Sequence, residues 1–433
     1  MKIKEIQNKR KELISTSGSA AKYAGTVLYW AAISALVGAV CGGIGAGFAR
    51  ILGLVTAIRE DNGWMIGFLP AAGVVIVFLY RICGIKDDKG TNLVIASIRA
   101  REQDKDSHLQ LRTAPLIFAG TVLTHMFGGS AGREGAALQI GGSVGAGMGK
   151  LFRMKEKSVK TVTICGMAAV FSALFGTPVT AAIFSMEVIS VGVMYYSAFL
   201  PAIISSLIAA WIARLCGCAP TAFKLPSVPT ADPWLFIRVL ILAAIAAVAS
   251  ILFTTVMHTV GHAAAKWMKN PYLRVAVGGC VIIVLSLAEK SGDYNGAGGY
   301  IIARAVEQGK AVPWAFALKI VFTAVTLGCG FKGGEIVPAF FAGATLGCAV
   351  GPLLGLDPGF SAAVGLIALF CGVVNCPLAS LVLSVELFGS DALIYFAPVC
   401  AVSYVLSGYF GLYSSQHIVY SKLTNEYVDK NVK

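Results

Sequence analysis

The chain alternates between long apolar runs and short breaks that are polar or rich in glycine and proline. A basic, polar lead-in over 1–22 reads as cytosolic, and an apolar segment follows over 24–58, long enough for a tilted span. Leu69–Tyr80 is a shorter run closed by Arg81. Lys86–Ser107 is polar except for Leu93–Ile98, which predicts a short helix between loops. Leu111–Phe127 ends at Gly128-Gly129, and a helix of small residues runs from Glu134 to Met148 before the basic turn Lys150–Lys160. Thr161–Ala173, a break at Gly176-Thr177-Pro178, a run over Val179–Met194 and a span over Ser197–Leu215 complete the first half. Cys216–Pro233 carries Pro220, Pro226, Pro229 and Pro233 and reads as a connector. The second half contains Trp234–Val260, Val275–Leu287, Pro313–Leu327, Ile336–Leu354, Ser361–Val373, Leu378–Leu387 and Asp391–Phe410, then a polar tail from Ser421. The predicted organisation is a lead-in over 1–22, membrane units over 23–215 and 234–420 joined by 216–233, and a tail over 421–433.

Composition makes the solvent of these runs a lipid bilayer. Hydrophobic residues are 57% and charged residues 13%, against roughly 25% charge in soluble globular chains. So little charge cannot clothe a soluble shell of this size, and so much apolar surface excludes disorder. The 49 glycines show no three-residue period, which excludes collagen. The net charge of +13 would suggest nucleic acid in a soluble protein. Here the basic residues flank apolar segments, so they set orientation in a membrane, and the expected partner is lipid and no nucleic acid. Most of the 11 cysteines lie inside apolar runs and read as small buried hydrophobes; the Cys216–Cys218 pair is a weak metal or disulfide signal. No zinc spacing, His-Glu-x-x-His or Gly-x-Ser-x-Gly pattern occurs, so neither a metal, a cofactor nor an enzyme activity is expected.

The two halves match. Gly132-Arg133-Glu134-Gly135 leads into a helix with Gly141, Gly145 and Gly149, and Gly333-Gly334-Glu335 leads into one with Gly343, Gly347 and Gly351. A proline-led helix follows each at similar spacing, Pro178 with Glu187 and Pro377 with Glu386, for an offset of about 200 residues. Short, interrupted apolar segments at matching places in two halves mark ion sites in transporters. Close helix packing through Gly-x-x-x-Gly is the simpler alternative, but charge, proline and spacing recur together.

Two carboxylates carry the candidate chemistry. Glu134 stands at a helix start, where glycines expose backbone N–H groups and the helix end favours an anion. Its carboxylate can occupy the anion site itself and leave on protonation, which couples a proton to anion occupancy. The competing reading is a buried Arg133–Glu134 ion pair. Glu335, in Phe331-Lys332-Gly333-Gly334-Glu335-Ile336-Val337-Pro338, follows the same logic, with a cap bound to Lys332 as the alternative. His125 reads as a packing residue more readily than as a proton carrier. Lys319 is an intramembrane cation, either setting potential near the pathway or pairing with a carboxylate, and Arg112 is a snorkelling interfacial residue.

Gly132–Gly135 with Gln139 and Gly141, Gly333–Pro338, and Asn375-Cys376-Pro377-Leu378 with Glu386-Leu387-Phe388-Gly389 together resemble the signatures of the CLC family of chloride channels and proton-coupled anion exchangers. The resemblance covers about 25–420. It implies an all-α polytopic membrane protein with an inverted repeat of tilted and partial helices, assembled as a homodimer with one anion pathway per subunit. It places the gate at Glu134 and an anion-facing tyrosine at Tyr413. It puts the anion path along Gly90, Thr91 and Asn92, along Gly132, Arg133 and Gly135, and along Gly334, Ile336 and Val337. Three departures from the chloride pattern stand out. Gly90-Thr91-Asn92-Leu93 replaces Gly-Ser-Gly-Ile-Pro, Glu335 stands inside the second glycine motif, and Val188 follows Glu187 where exchangers often carry an inner proton glutamate. These resemble the fluoride/proton antiporter branch, which also carries an asparagine in the region of Asn375; that branch often has threonine where this chain has Val337.

Fluoride is small and strongly hydrated, so a site must replace its water with several donors. Backbone N–H groups, the Tyr413 hydroxyl and the Asn375 amide are the candidates. The expected function is proton-coupled fluoride export across the bacterial inner membrane. The alternatives are a chloride or nitrate/proton exchanger and a passive anion channel.

Overall fold

The computed structural model describes residues 2–85, 88–100, 109–230, 232–424 and 426–433, with backbone alone for 2–21. Helices build almost all of it. The first half contains α1 (Lys2–Asp61), α2 (Leu69–Ile82), α3 (Thr91–Arg99), α4 (Thr113–Met126), α5 (Glu134–Leu151), α6 (Glu156–Phe175), α7 (Pro178–Glu187) and α8 (Phe199–Leu215). The second contains α9 (Pro233–Trp267), α10 (Pro271–Glu289), α11 (Gly299–Gln308), α12 (Ala315–Gly328), α13 (Ile336–Val350), α14 (Pro358–Val374), α15 (Pro377–Phe388) and α16 (Leu393–Leu406).

Among the described residues 7 helical stretches are long and apolar enough to cross a membrane, including Lys22–Asp61, Glu156–Phe175 and Pro233–Trp267. Others fall short. At 1.5 Å per residue a helix such as α4 or α12, each of 14 residues, reaches only about 21 Å of a roughly 30 Å hydrocarbon core. Such helices leave their ends inside the membrane, where backbone groups need partners from protein or ion. Proline opens α7, α9, α10, α14 and α15, where its missing N–H is no loss.

The two halves use glycine in the same way. A Cβ at Gly141 of α5 would stand 2.1 Å from the Gly166 carbonyl of α6, and one at Gly343 of α13 would stand 2.5 Å from the Gly365 carbonyl of α14. Each pair therefore packs backbone on backbone. The proline-led helices exchange caps. Glu187, at the end of α7, accepts from the Leu378 and Ala379 N–H groups of α15 at 3.1 and 2.8 Å. Glu386 of α15 accepts from Val179 and Thr180 of α7 at 3.0 and 2.8 Å.

Three expectations change. The run Val179–Met194 is not one helix: α7 stops at Glu187 and Ser190–Val191 forms strand β1. The polar tail expected from Ser421 carries a strand, because β2 (His417–Tyr420) and β3 (Tyr427–Asn431) complete a three-stranded sheet, with β2 parallel to β1 and antiparallel to β3. Helix α1 starts at Lys2 and so includes the polar lead-in. The short helix expected over Leu93–Ile98 is α3, while 101–108 of the same polar stretch lie outside the described residues. Among its described residues the connector has no helix before α9 begins at Pro233, and it packs back on the core, with the Phe223 N–H on the Leu387 carbonyl and the Tyr395 hydroxyl on the Pro229 carbonyl, both at 2.9 Å.

Candidate anion and proton site

The helix starts of α5 and α13 meet through a reciprocal bridge. The Gly132 N–H donates to the Gly334 carbonyl at 2.7 Å, and the Gly334 N–H donates back at 2.9 Å. A Cβ on Gly334 would lie 2.4 Å from the Gly135 nitrogen and 2.9 Å from Glu134 Oε2, so only glycine permits the approach.

Glu134 is fully buried. Its Oε1 accepts from the Arg133 N–H at 3.0 Å, and its Oε2 accepts from the Val337 N–H at 3.2 Å, in the first turn of α13. A carboxylate thus fills the position that the end of α13 prepares for an anion. The expected alternative, an Arg133–Glu134 ion pair, does not form among the described residues. The Arg133 guanidinium donates instead to the Leu174 carbonyl at 3.1 Å and lies 5.4 Å from the Phe175 ring centroid. Ile336 and Val337 are buried at the same end of α13.

Glu335 is the N-cap residue of α13, yet its side chain makes no capping hydrogen bond. It lines a cavity of about 1260 Å³ that also reaches Asp88, His258, Lys332 and Leu412. The cap-bound-to-Lys332 reading fails on geometry, because Lys332 pairs with Asp88 at 2.8 Å and sits 4.4 Å from the Tyr80 ring centroid. Burial raises the Asp88 carboxyl, but the Lys332 ammonium and the Gly90 N–H outweigh it and hold Asp88 below the usual carboxylate range. The pair joins the Gly90 turn to the Glu335 motif. Asp88→Asn should destabilise the protein by about 2 kcal/mol, below the figure for a fully buried pair because Lys332 borders the cavity. A folded pKa below the unfolded one gives stability that is present above roughly pH 4 and lost as pH falls through the folded value. Melting curves in detergent at neutral and acid pH check both points: the variant should melt lower at neutral pH and show a smaller acid loss.

The remaining candidates gather around these helix ends. The Thr91 hydroxyl donates to the Gly135 carbonyl at 3.4 Å, and Asn92 Oδ1 accepts from the Ser415 N–H at 2.9 Å. Tyr413, two residues before Ser415, is buried, and its hydroxyl finds no partner among the described residues. Its loop is held by His258, whose Nε2 contacts the Gly411 carbonyl at 2.9 Å. Asn375 is used differently from the expectation of an anion donor. Its amide N–H groups go to the Phe410 carbonyl at 3.0 Å and Gln416 Oε1 at 3.3 Å, and its oxygen accepts from Lys422. Both donors are therefore engaged by protein, one on each side of the Tyr413 loop.

Lys319 donates to the carbonyls of Tyr294 and Gly296 at 3.0 and 2.7 Å, and no carboxylate pairs with it among the described residues. His125 contacts the Thr121 carbonyl at 3.0 Å through Nδ1, while its buried Nε2 finds no partner among the described residues. All 11 cysteines are free, Cys216 and Cys218 included. Sequence reasoning missed Asp88, His258, Gln416 and Lys422. Asp88 carried a usable signal, a carboxylate just before a glycine turn at a membrane edge.

A family model described as voltage gated chloride channel matches residues 72–408, and the chain belongs to that family, the CLC channels and transporters. It is 35% identical over 398 residues to the chloride/fluoride channel protein of Pseudomonas syringae pv. tomato, covering 91% of this chain and 87% of that one. It is 26% identical over 423 residues to the H(+)/Cl(-) exchange transporter ClcA of Vibrio cholerae serotype O1, covering 91% and 88%. Among solved structures it is similar to a CLC-type fluoride/proton antiporter, with a TM-score of 0.85, 30% identity and 90% and 98% coverage. The chain is therefore a bacterial multi-pass membrane protein of the inner-membrane kind, built to move anions rather than to catalyse a covalent reaction.

Proposed function

We propose that this protein exports fluoride in exchange for protons. The carrying observation is the Glu134 carboxylate, which accepts from the Val337 N–H at the start of α13, while Glu335 on the same helix start opens to the cavity. Protonation of Glu134 frees that N–H for an anion, and loss of the proton brings the carboxylate back to displace the anion, so carboxylate and anion take turns at one place. Glu335 serves the route to the cavity as the titrating group, because Val188, at the end of α7, offers none. The Tyr413 hydroxyl supplies a buried donor without a protein partner among the described residues, which suits an ion that must exchange strong hydration for strong donors. The name of the antiporter structure supports fluoride as the anion, and that of the Pseudomonas syringae relative gives both chloride and fluoride. The name of the Vibrio cholerae relative favours chloride as the second reading.

The same reading takes 23–215 and 234–420 as inverse repeats, joined by 216–233, in a homodimer with one path per subunit. Purified protein in liposomes should release fluoride at least about tenfold faster than chloride and take up protons as it does so, and its mass in detergent should be that of two copies. Equal passage of both anions, or fluoride movement without proton movement, overturns the reading.

A further inference from the structure

The tail places a lysine beneath the loop that carries Tyr413. Lys422 Nζ donates to Asn375 Oδ1, to the Ser407 hydroxyl at 2.9 Å and to the Tyr404 carbonyl at 2.8 Å, and it lies 4.5 Å from the Tyr404 ring centroid. An ammonium has three N–H groups and no acceptor, so all three are engaged on oxygen. Among the described residues no carboxylate forms a salt bridge with it. Burial draws Lys422 down to about 8 from an ordinary 10.5, with Cys371 and Cys376 opposing the change. This charge is held by geometry and dipoles, not by a counter-ion.

The partner that matters is Asn375. An amide has one oxygen side and one N–H side. With its oxygen on Lys422, its N–H groups must face the other way, toward the Phe410 carbonyl and Gln416 Oε1. Gln416 in turn donates through Nε2 to the Val374 carbonyl and through its backbone N–H to the Tyr413 carbonyl, both at 2.9 Å. Phe410 and Gln416 bracket Tyr413, so one amide grips both ends of the loop. The fit leaves no slack: a Cβ at Gly411 would stand 2.5 Å from Asn375 Nδ2.

We propose that Lys422 is a positioning residue for the anion path: from the tail it sets the direction of the Asn375 amide, and through it the place of the Tyr413 hydroxyl. The proposal rests on the reading of Tyr413 as an anion-facing donor. A lysine that only stabilised the end of α16 would act on the amount of folded protein. A lysine that sets Tyr413 acts on anion affinity, and only while the hydroxyl is present.

The test is a double-mutant cycle on anion flux in liposomes with Lys422→Met, Tyr413→Phe and the pair. Lys422→Met should raise the KM for fluoride roughly tenfold, within the range of coupling between residues of one hydrogen-bond network. In the Tyr413→Phe background the same change should raise it less than about twofold. Ser407→Ala, which removes one acceptor and keeps the lysine, should give a smaller rise that also vanishes without the Tyr413 hydroxyl, and it decides the question if Lys422→Met does not fold. Equal rises with and without the hydroxyl, or a wild-type KM in both variants, overturn the proposal. If the wild type carries chloride and not fluoride, the fluoride reading fails by itself, and the cycle is read on chloride unchanged.

Discussion

Glu134→Gln should lower proton movement through the protein by about 100-fold or more, the scale expected when a proton-transferring group is removed. The amide has nearly the shape of the carboxyl but cannot bind and release a proton. It also removes the negative charge that competes with an anion for the Val337 N–H. Whatever anion flux remains should no longer drive protons uphill. Because Glu134 is fully buried and forms no ion pair among the described residues, the substitution leaves no orphaned cation, and the protein should still fold. Parallel recording of proton and fluoride flux in liposomes decides the outcome. Coupled transport at wild-type ratio would falsify the role given to this carboxylate.

Glu335→Gln is the second large effect. The proton-to-anion ratio should fall about tenfold or more, while expression, dimer mass and thermal stability stay near wild type. The structure sharpens this forecast. A capping carboxylate typically contributes about 1 kcal/mol, but the Glu335 side chain makes no capping bond, and Lys332 already has Asp88. A structural role therefore has nothing to hold. If folded Glu335→Gln protein keeps wild-type coupling, Glu335 lies off the proton route even if its total activity is lower. Melting temperature and flux ratio measured on one preparation separate the two cases.

Local signals made much of this legible. Prolines and glycines at the breaks announced α7 and α15, and small-residue spacing offered close packing for α5 and α13 without naming α6 and α14 as the partners, because both act through covalent geometry that a residue carries wherever it stands. Both carboxylates were visible as charges with no soluble context. What stayed hidden depended on partners far along the chain. Nothing near Val188 says that α7 must stop, since the run stays apolar; β1 forms because His417 and Ile418 come alongside Ser190 and Val191. Asn375 looked like an anion donor because an amide in an apolar segment needs partners, and the sequence does not show that Phe410, Gln416 and Lys422 provide them. The contact of Lys422 with an amide 47 positions away stayed hidden for the same reason.

The crossed caps of α7 and α15 bear on how the chain is made. When the ribosome has finished the first half, the amides of Val179 and Thr180 already exist, but the carboxylate that will receive them, Glu386, is 207 and 206 positions downstream. Glu187 waits in the same way for Leu378 and Ala379. Neither half is a finished product at any moment of synthesis. Maturation is therefore expected to happen late and in one step, when the last helices arrive. Two separately translated halves should be cleared by quality control when made alone and rescued when made together.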